Sequence, residues 1–289
     1  MRQRVRPDGR LAGRTAIVTG AGPRNTRHVG IGQAISVLLA REGANVVLVN
    51  RDPERAAAVR DQIADEGGRA FVCAGDVSDP EDAARIVRAA VEEFGGLHVL
   101  VNNAAALGAG SIVDTDLDDW HRVLDVNLTG AMLMSRFAIP RLVDAGGGSI
   151  VHITSISSLR GYFSSAAYHA SKAGLHGLMA AMAVQHGKQG IRVNCVVPGH
   201  ALTAMSGDPD EEQRSVRNAL NPLGTEGTAW DVGWAAVYLA SDEARWVTGV
   251  SIPVDGGTLM PLGSMTPHWL PAPATAGDMA DGGGATDDG

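Results

Sequence analysis

Short runs of β-branched residues recur along this chain, with stretches long enough for a helix between them. No other feature constrains its fold as strongly. The runs predict strands at Thr15–Thr19, Asn45–Val49, Ala70–Ala74, Val99–Val101, Ser149–Thr154, Arg192–Val197 and Val250–Val254. The spacing predicts helices over about Ile31–Glu42, Pro53–Glu66, Pro80–Phe94, Asp118–Val143, Ala166–Lys188 and Ala229–Ser241. Asp52-Pro53 and Asp79-Pro80 read as an N-cap followed by the first helical residue, where proline's missing N–H costs nothing. The strands are too apolar for a sheet with one wet face. Alternating strand and helix then implies an α/β fold, a parallel sheet covered on both sides.

The polar and glycine clusters fall directly after strands: Gly20-Ala21-Gly22, Asn50-Arg51, Gly75-Asp76, Asn102-Asn103, Ser155 and Pro198-Gly199. In a parallel sheet all six share the carboxyl edge, where open α/β sheets bind ligands. Tyr168 and Lys172 lie four residues apart, one turn of helix, with Ser155 thirteen residues before the tyrosine. That helical spacing puts phenol and ammonium on one face. A fixed ammonium favours the phenolate, so a proton normally lost near pH ~10 is expected to leave closer to neutrality. Such a group suits the interconversion of an alcohol and a carbonyl. The pair alone is weak, because both residues are common on half-exposed helices.

Composition excludes several classes. The chain has 289 residues and a formal net charge of −8, which disfavours non-specific nucleic-acid binding and anionic membrane surfaces. No apolar run approaches the ~20 residues that span a bilayer. The basic start, Met1 to Pro7, has no apolar stretch behind it and does not read as a secretory signal. Cys73 and Cys195 both fall in expected buried strands and read as small core hydrophobes. No metal site is expected, since neither has a partner at ligand spacing. These cysteines fit a reducing cytoplasm.

With these residues placed, the sequence resembles the short-chain dehydrogenase/reductase family from about Leu11 to Gly257. The resemblance rests on the Thr-Gly-rich first turn, Asn102-Asn103-Ala104-Ala105, Asn127, Ser155, Tyr168 and Lys172. It extends to Asn194, Pro198-Gly199, Thr203, Thr248-Gly249 and Asp255-Gly256-Gly257. It implies a single Rossmann-type domain, doubly wound around a parallel sheet of about seven strands, a nicotinamide cofactor, and a homo-oligomer, with a tetramer favoured. It further implies Tyr168 as general acid/base, and Lys172 holding the nicotinamide ribose and keeping the tyrosine pKa low. Ser155 is implied to bond the substrate oxygen, and Asn127 to hold a water in a relay to Lys172. The domain is expected over residues 11–262, after an N-terminal arm of residues 1–10. Residues 263–289, rich in Pro, Gly, Ala and Asp, read as a low-complexity and largely disordered tail. In it Trp269 either packs on the surface or covers a neighbouring subunit's active-site mouth.

The first turn departs from the family pattern. Gly20 and Gly22 are followed by the insertion Pro23 to Val29 before Gly30-Ile31-Gly32, so the turn is about six residues longer. Glycines at both ends let the backbone approach a pyrophosphate, and the helix from Ile31 presents its N-terminus to it. The inserted Arg24, Arg27 and His28 either bind phosphate or form a solvated loop. At the second strand's end, Asn50 and Arg51 stand where an acidic residue would accept a free ribose 2′-hydroxyl and repel a 2′-phosphate. NADP(H) is therefore favoured, with NAD(H) the alternative, since Asn50 can also bond a hydroxyl. By the resemblance, Asp76 and Val77 meet the adenine, Asn103 and Ala104 pass the adenosine ribose, Pro198 and Gly199 border the cofactor, and Thr203 reaches its carboxamide.

His200 and Arg160 read as loop residues, and Met179 and Met182 as core or interface. Residues 204–222 read as a substrate lid. With no evident charged anchor, the expected substrate is a small, neutral, apolar alcohol or carbonyl compound. Three alternatives stand beside alcohol–carbonyl chemistry. A silent cofactor-binding regulator usually loses the tyrosine or lysine, and both are present. Reduction of C=C or of C=N on the same scaffold completes the set. The enoyl reductase branch places six residues between Tyr and Lys, and here there are three.

Overall fold

Seven of the β-branched runs form one sheet, and every neighbouring pair in it is parallel. The structure is a computed structural model that describes residues 8–25, 27–161 and 165–260. Most of the N-terminal arm and all of residues 263–289, Trp269 included, lie outside the described residues. The strands are β1 (Thr15–Thr19), β2 (Asn45–Asn50), β3 (Arg69–Ala74), β4 (Val99–Asn102), β5 (Gly148–Ile153) and β6 (Ile191–Pro198). Two short strands, β7 (Ala201–Leu202) and β8 (Gly227–Thr228), pair with each other, and β9 (Ser251–Val254) closes the main sheet. Its order is β3-β2-β1-β4-β5-β6-β9, so the chain reverses direction between β1 and β4. That reversal opens the crevice in which doubly wound sheets bind dinucleotides.

The helices are α1 (Ile31–Arg41), α2 (Pro53–Asp65), α3 (Pro80–Phe94), α4 (Leu117–Leu124), α5 (Gly130–Asp144), α6 (Ala166–His186), α7 (Glu211–Ala219) and α8 (Ala229–Ala240). Strand alternation divides the core into two layers. Ala16, Val18, Val46 and Leu48 face α1, α2 and α8, whereas Ile17, Val47, Val49 and Leu100 face α3, α5 and α6. Met179 and Met182 belong to the second layer, so they are core residues. The expected caps form: Asp52 accepts from the Glu54 N–H, and Asp79 from those of Glu81 and Asp82. Such a cap is worth about 1 kcal/mol.

Two expectations change. The single helix predicted over Asp118–Val143 is two helices, α4 and α5, joined by a wide π-helical turn at Asp125–Thr129. Apolar spacing runs through both helices, so periodicity hides the break, and the turn is tied down by tertiary bonds from Asn127. The segment expected as a lid, residues 204–222, also carries more regular structure than expected, namely α7, and the β7–β8 pair flanks it on both sides.

Candidate active site

The six strand-end clusters meet in one cleft of about 1120 Å³ along the carboxyl edge. Its first wall is the glycine turn. Gly20 has φ of +64°, and a Cβ there would lie 2.9 Å from the Ala104 Cα. A Cβ on Gly32 would lie 2.2 Å from the Gly20 carbonyl oxygen. The turn is thus closed on itself in a way that excludes side chains. Asn103 holds it, its Nδ2 donating to the carbonyls of Thr19 (2.9 Å) and Gly20 (3.0 Å). The Thr19 hydroxyl accepts from the backbone N–H groups of Asn103 and Ala104. The N-terminus of α1 opens beside this turn with no acidic residue in its first turn, which leaves its positive end for an anion.

All the residues expected to bind the cofactor line this cleft: Gly20, Gly22, Gly30, Ile31, Gly32, Asn50, Arg51, Asp76, Val77, Asn103, Ala104, Tyr168, Lys172, Pro198, Gly199 and Thr203. Several have prior commitments. Asn50 donates to the Gly22 carbonyl and accepts from the Asp52 N–H, so its amide braces the turn. One Asp76 carboxylate oxygen accepts from both the N–H and the hydroxyl of Ser78. The Thr203 hydroxyl accepts from the N–H groups of Met205 and Ser206. Among the described residues Arg51, 70% exposed, is held only by a 3.5 Å contact to Asp76. Arg55 joins it on the cleft wall. Sequence reading missed Arg55, although its place in the first turn of α2, beside the end of β2, was a readable signal.

Ser155, Tyr168 and Lys172 share the far end of the cleft. Tyr168 packs against Ala106, Val123 and Ala167, and the Ser155 hydroxyl, which accepts from the Ser157 N–H, lines the same cleft. Lys172 is 2% exposed and donates from Nζ to the Ile153 carbonyl at 2.7 Å. Its Nζ lies 5.7 Å from the Tyr168 ring centroid. The expected lowering of the tyrosine by the lysine is not what this site shows. Burial is the largest influence on Tyr168 and raises its pKa, with the Ser155 hydroxyl and the Arg24 charge pulling the other way. Burial also brings Lys172 down, to about 8. A dry pocket disfavours both charges.

Asn127 stands apart from the cleft. Its Oδ1 accepts from the Ala106 N–H at 2.7 Å, and its Nδ2 donates to the Ala106 carbonyl and the Ser171 hydroxyl. The amide is therefore fully engaged in fixing the wide turn and the chain after β4, and makes no bond to Lys172. A cavity of about 10 Å³ behind the cleft is lined by Asn127, Lys172, Asn102 and Thr19, among others. That is near the lower limit for one water molecule.

Above the site, α7 turns Glu212, Val216 and Leu220 toward the cleft at helical spacing, with Leu107, Ile156, Met205 and Leu259 opposite. His200 and Arg160 also line it, and Arg160 donates to the Leu259 carbonyl at 3.2 Å. The inserted loop does not plug the groove. Arg24 donates to the Ala105 carbonyl, Asn25 to the Ala204 carbonyl at 2.9 Å, and Arg27 pairs with Asp208 at 2.6 Å. His28 contacts the same carboxylate. The loop thus ties the first glycine turn to the lid.

Among the described residues no cluster of His, Cys, Asp or Glu could hold a metal ion, and no helix is long and apolar enough to cross a membrane.

Comparison with known proteins agrees with this geometry. The sequence profile of a family described as enoyl-(acyl carrier protein) reductase matches residues 26–258. L-rhamnose 1-dehydrogenase (NAD(P)(+)) of Sphingomonas sp. (strain SKA58) is 40% identical over 87% of this chain and 98% of its own length. Cyclohexanol dehydrogenase of Acinetobacter sp. (strain SE19) is 37% identical over 84% of this chain and 94% of its own. The crystal structure of carveol dehydrogenase from Mycobacterium avium in complex with NAD superimposes with a TM-score of 0.82 at 31% identity. It covers 88% of this chain and 100% of that one.

Proposed function

Because the chain belongs to the short-chain dehydrogenase/reductase family and is an NAD(P)-dependent oxidoreductase of alcohols and carbonyl compounds, we propose that Tyr168 is its general acid/base. The observation that carries this reading is the meeting of Ser155, Tyr168 and Lys172 at one end of a cleft whose other end is a side-chain-free glycine turn. A nicotinamide dinucleotide, when bound, supplies the hydride acceptor or donor. The residues present fit such a group. Gly20, Gly22, Gly30, Ile31 and Gly32 offer the pyrophosphate cradle, Asp76 and Val77 the adenine wall, and Asn103 and Ala104 the ribose floor. Lys172 has two N–H groups beyond its bond to Ile153 that would hold the second ribose, and Pro198, Gly199 and Thr203, which line the cleft, would border the nicotinamide.

In alcohol oxidation, the Tyr168 Oη takes the hydroxyl proton of the substrate. In the reverse direction it returns that proton to the carbonyl oxygen. The Ser155 Oγ donates to the same oxygen and stabilises the negative charge that develops there. A tyrosine raised above its ordinary pKa is protonated at rest, so it is ready as an acid in reduction and scarce as a base in oxidation. A water in the small cavity beside Asn127 would link Lys172 to the interior.

NADP(H) is the favoured cofactor. Arg51 and Arg55 line the wall expected to meet the adenosine ribose. No acidic residue at the end of β2 repels a 2′-phosphate, and Asn50 is occupied. For the substrate, the wall of Leu107, Ile156, Met205, Val216, Leu220 and Leu259 favours a neutral, largely apolar secondary alcohol or its ketone, in keeping with the cyclic alcohols named for two relatives. The enoyl description of the family profile is not carried to this chain, because only three residues separate Tyr168 and Lys172. The catalytic domain is read as residues 11–262. Trp246 (96% exposed) and Val184 offer apolar surface suited to a homo-oligomer, a tetramer in this reading. Two buried free cysteines suit the cytoplasm.

The deciding experiment is a panel of cyclic and linear alcohols and ketones assayed at 340 nm with each cofactor. The expected result is turnover of a cyclic secondary alcohol, with a higher kcat/KM on NADP⁺ than on NAD⁺. A preference for NAD⁺ would overturn the cofactor assignment. Turnover confined to enoyl compounds would overturn the alcohol reading.

A further inference from the structure

A single stripe of α6 carries Tyr168, Lys172 and, one turn further on, His176. The chemistry above leaves this histidine unused, yet it reaches back to the segment that holds Ser155. Ser155 precedes a short turn at Ile156–Ser158, and the Ser158 hydroxyl donates to the Ser155 carbonyl. A carbonyl brings no proton, so the proton in that bond is the serine's. Ser158 Oγ can then only accept from His176 Nε2, 2.7 Å away, and Nε2 therefore carries the hydrogen. Burial holds the imidazole below its ordinary pKa, so the ring is neutral and Nδ1 is a bare lone pair. It accepts from the Ser251 hydroxyl at 2.8 Å. Every proton in the series points one way, from Ser251 on β9 through His176 on α6 to the turn behind Ser155.

We propose that His176 is a positioning residue. As the neutral Nε2–H tautomer it clamps the Ser155 turn to α6, so the Ser155 hydroxyl and the Tyr168 phenol keep a fixed register on one substrate oxygen. The inference rests on the roles given above to Ser155 and Tyr168. A histidine suits the task because its two ring nitrogens lie on opposite edges, one donating and one accepting. Leucine would fill the space but leave both hydroxyls without it. Glutamine keeps a donor for Ser158.

The test is a double-mutant cycle on the full chain, with cyclohexanol and L-rhamnose as probe substrates and cofactor binding followed separately. His176→Leu and Ser158→Ala are each expected to lower kcat about tenfold, as loss of alignment does, with cofactor Kd within about twofold of the parent. The double variant is expected to lose about tenfold again in total, because both changes break one path, where independent sites would give about a hundredfold. His176→Gln is expected to restore most of kcat. Nitrogen-15 NMR of histidine-labelled protein, with the His176 signals assigned by their loss in His176→Gln, is expected to show hydrogen on Nε2. Hydrogen on Nδ1, multiplicative losses, or a His176→Leu variant that melts lower yet keeps kcat within about twofold would each overturn the proposal. Ser155→Ala separates the two levels. If it keeps full turnover, the role of Ser155 fails and the clamp fails with it. If it is inactive while His176→Leu is fully active, the clamp alone fails.

Discussion

Lys172 illustrates how one residue sets function against stability. Its ammonium is buried with one carbonyl partner, and its pKa falls from 10.5 to about 8. Below pH 8 the folded protein bears the full cost of burying that charge. Between pH 8 and 10.5 it sheds a proton that the unfolded chain keeps, so this contribution moves toward stability as pH rises. The shift corresponds to about 3 kcal/mol. Lys172→Met is therefore expected to raise the melting temperature of the cofactor-free protein at pH 7 while removing turnover. An unchanged or lower melting temperature would mean that the ammonium is not buried at a cost. His152 acts with the same sign in the acid range. It is fully buried, bonded through Nδ1 to Asn102, and lowered to about 3, mainly by burial. Its contribution is fully present above pH 6.5 and is lost as pH falls from there toward 3, up to about 5 kcal/mol. His152→Gln should flatten acid unfolding in that window, measured as Tm against pH. A slope equal to the parent's would exclude it. Spacing and family resemblance together pointed to Ser155, Tyr168 and Lys172, and all three line one cleft. The direction of the tyrosine shift was not legible, because spacing reports neighbours along a helix while desolvation depends on what packs around it.

At the scale of elements, the inserted loop and the lid act together. Residues 23–29 lengthen the glycine turn, and their side chains reach residues 204–208 through Asn25, Arg27 and His28. The sequence displays both segments but not their contact, which brings together chain positions about 180 residues apart. The strand-end clusters and the two Asp-Pro caps were readable, since turn chemistry is local. The wide turn at Asp125–Thr129 was not readable, because it depends on bonds from Asn127 to Ala106 and Ser171. Asp208→Asn should loosen the loop from the lid. Stopped-flow release of bound cofactor is expected to quicken about two- to fivefold, the range an exposed ion pair supports, and added salt should shrink the difference. Equal release rates at low salt would show that the contact does not restrain the lid.

At the scale of the whole molecule, the parallel sheet is what makes a site from residues scattered along the chain. Strand order β3-β2-β1-β4-β5-β6-β9 brings the ends of β1, β2, β4, β5 and β6 to one rim, and α6 lays Tyr168 and Lys172 beside the last of them. Fold class followed from the alternation of elements, because a sheet buried on both faces leaves few other arrangements. The strand order itself was not legible, since parallel pairing leaves no local mark; the family resemblance implied only a doubly wound sheet of about seven strands. The reaction assigned to this rim is tested most directly by Tyr168→Phe, a change that removes one oxygen and keeps the ring packed against Ala106, Val123 and Ala167. Turnover of the best alcohol at 340 nm should fall about 10²- to 10⁴-fold, the range for loss of a general acid/base, while cofactor Kd stays within about threefold, since the phenol lies outside the glycine-turn cradle. Parent-like turnover in that variant would contradict the assignment.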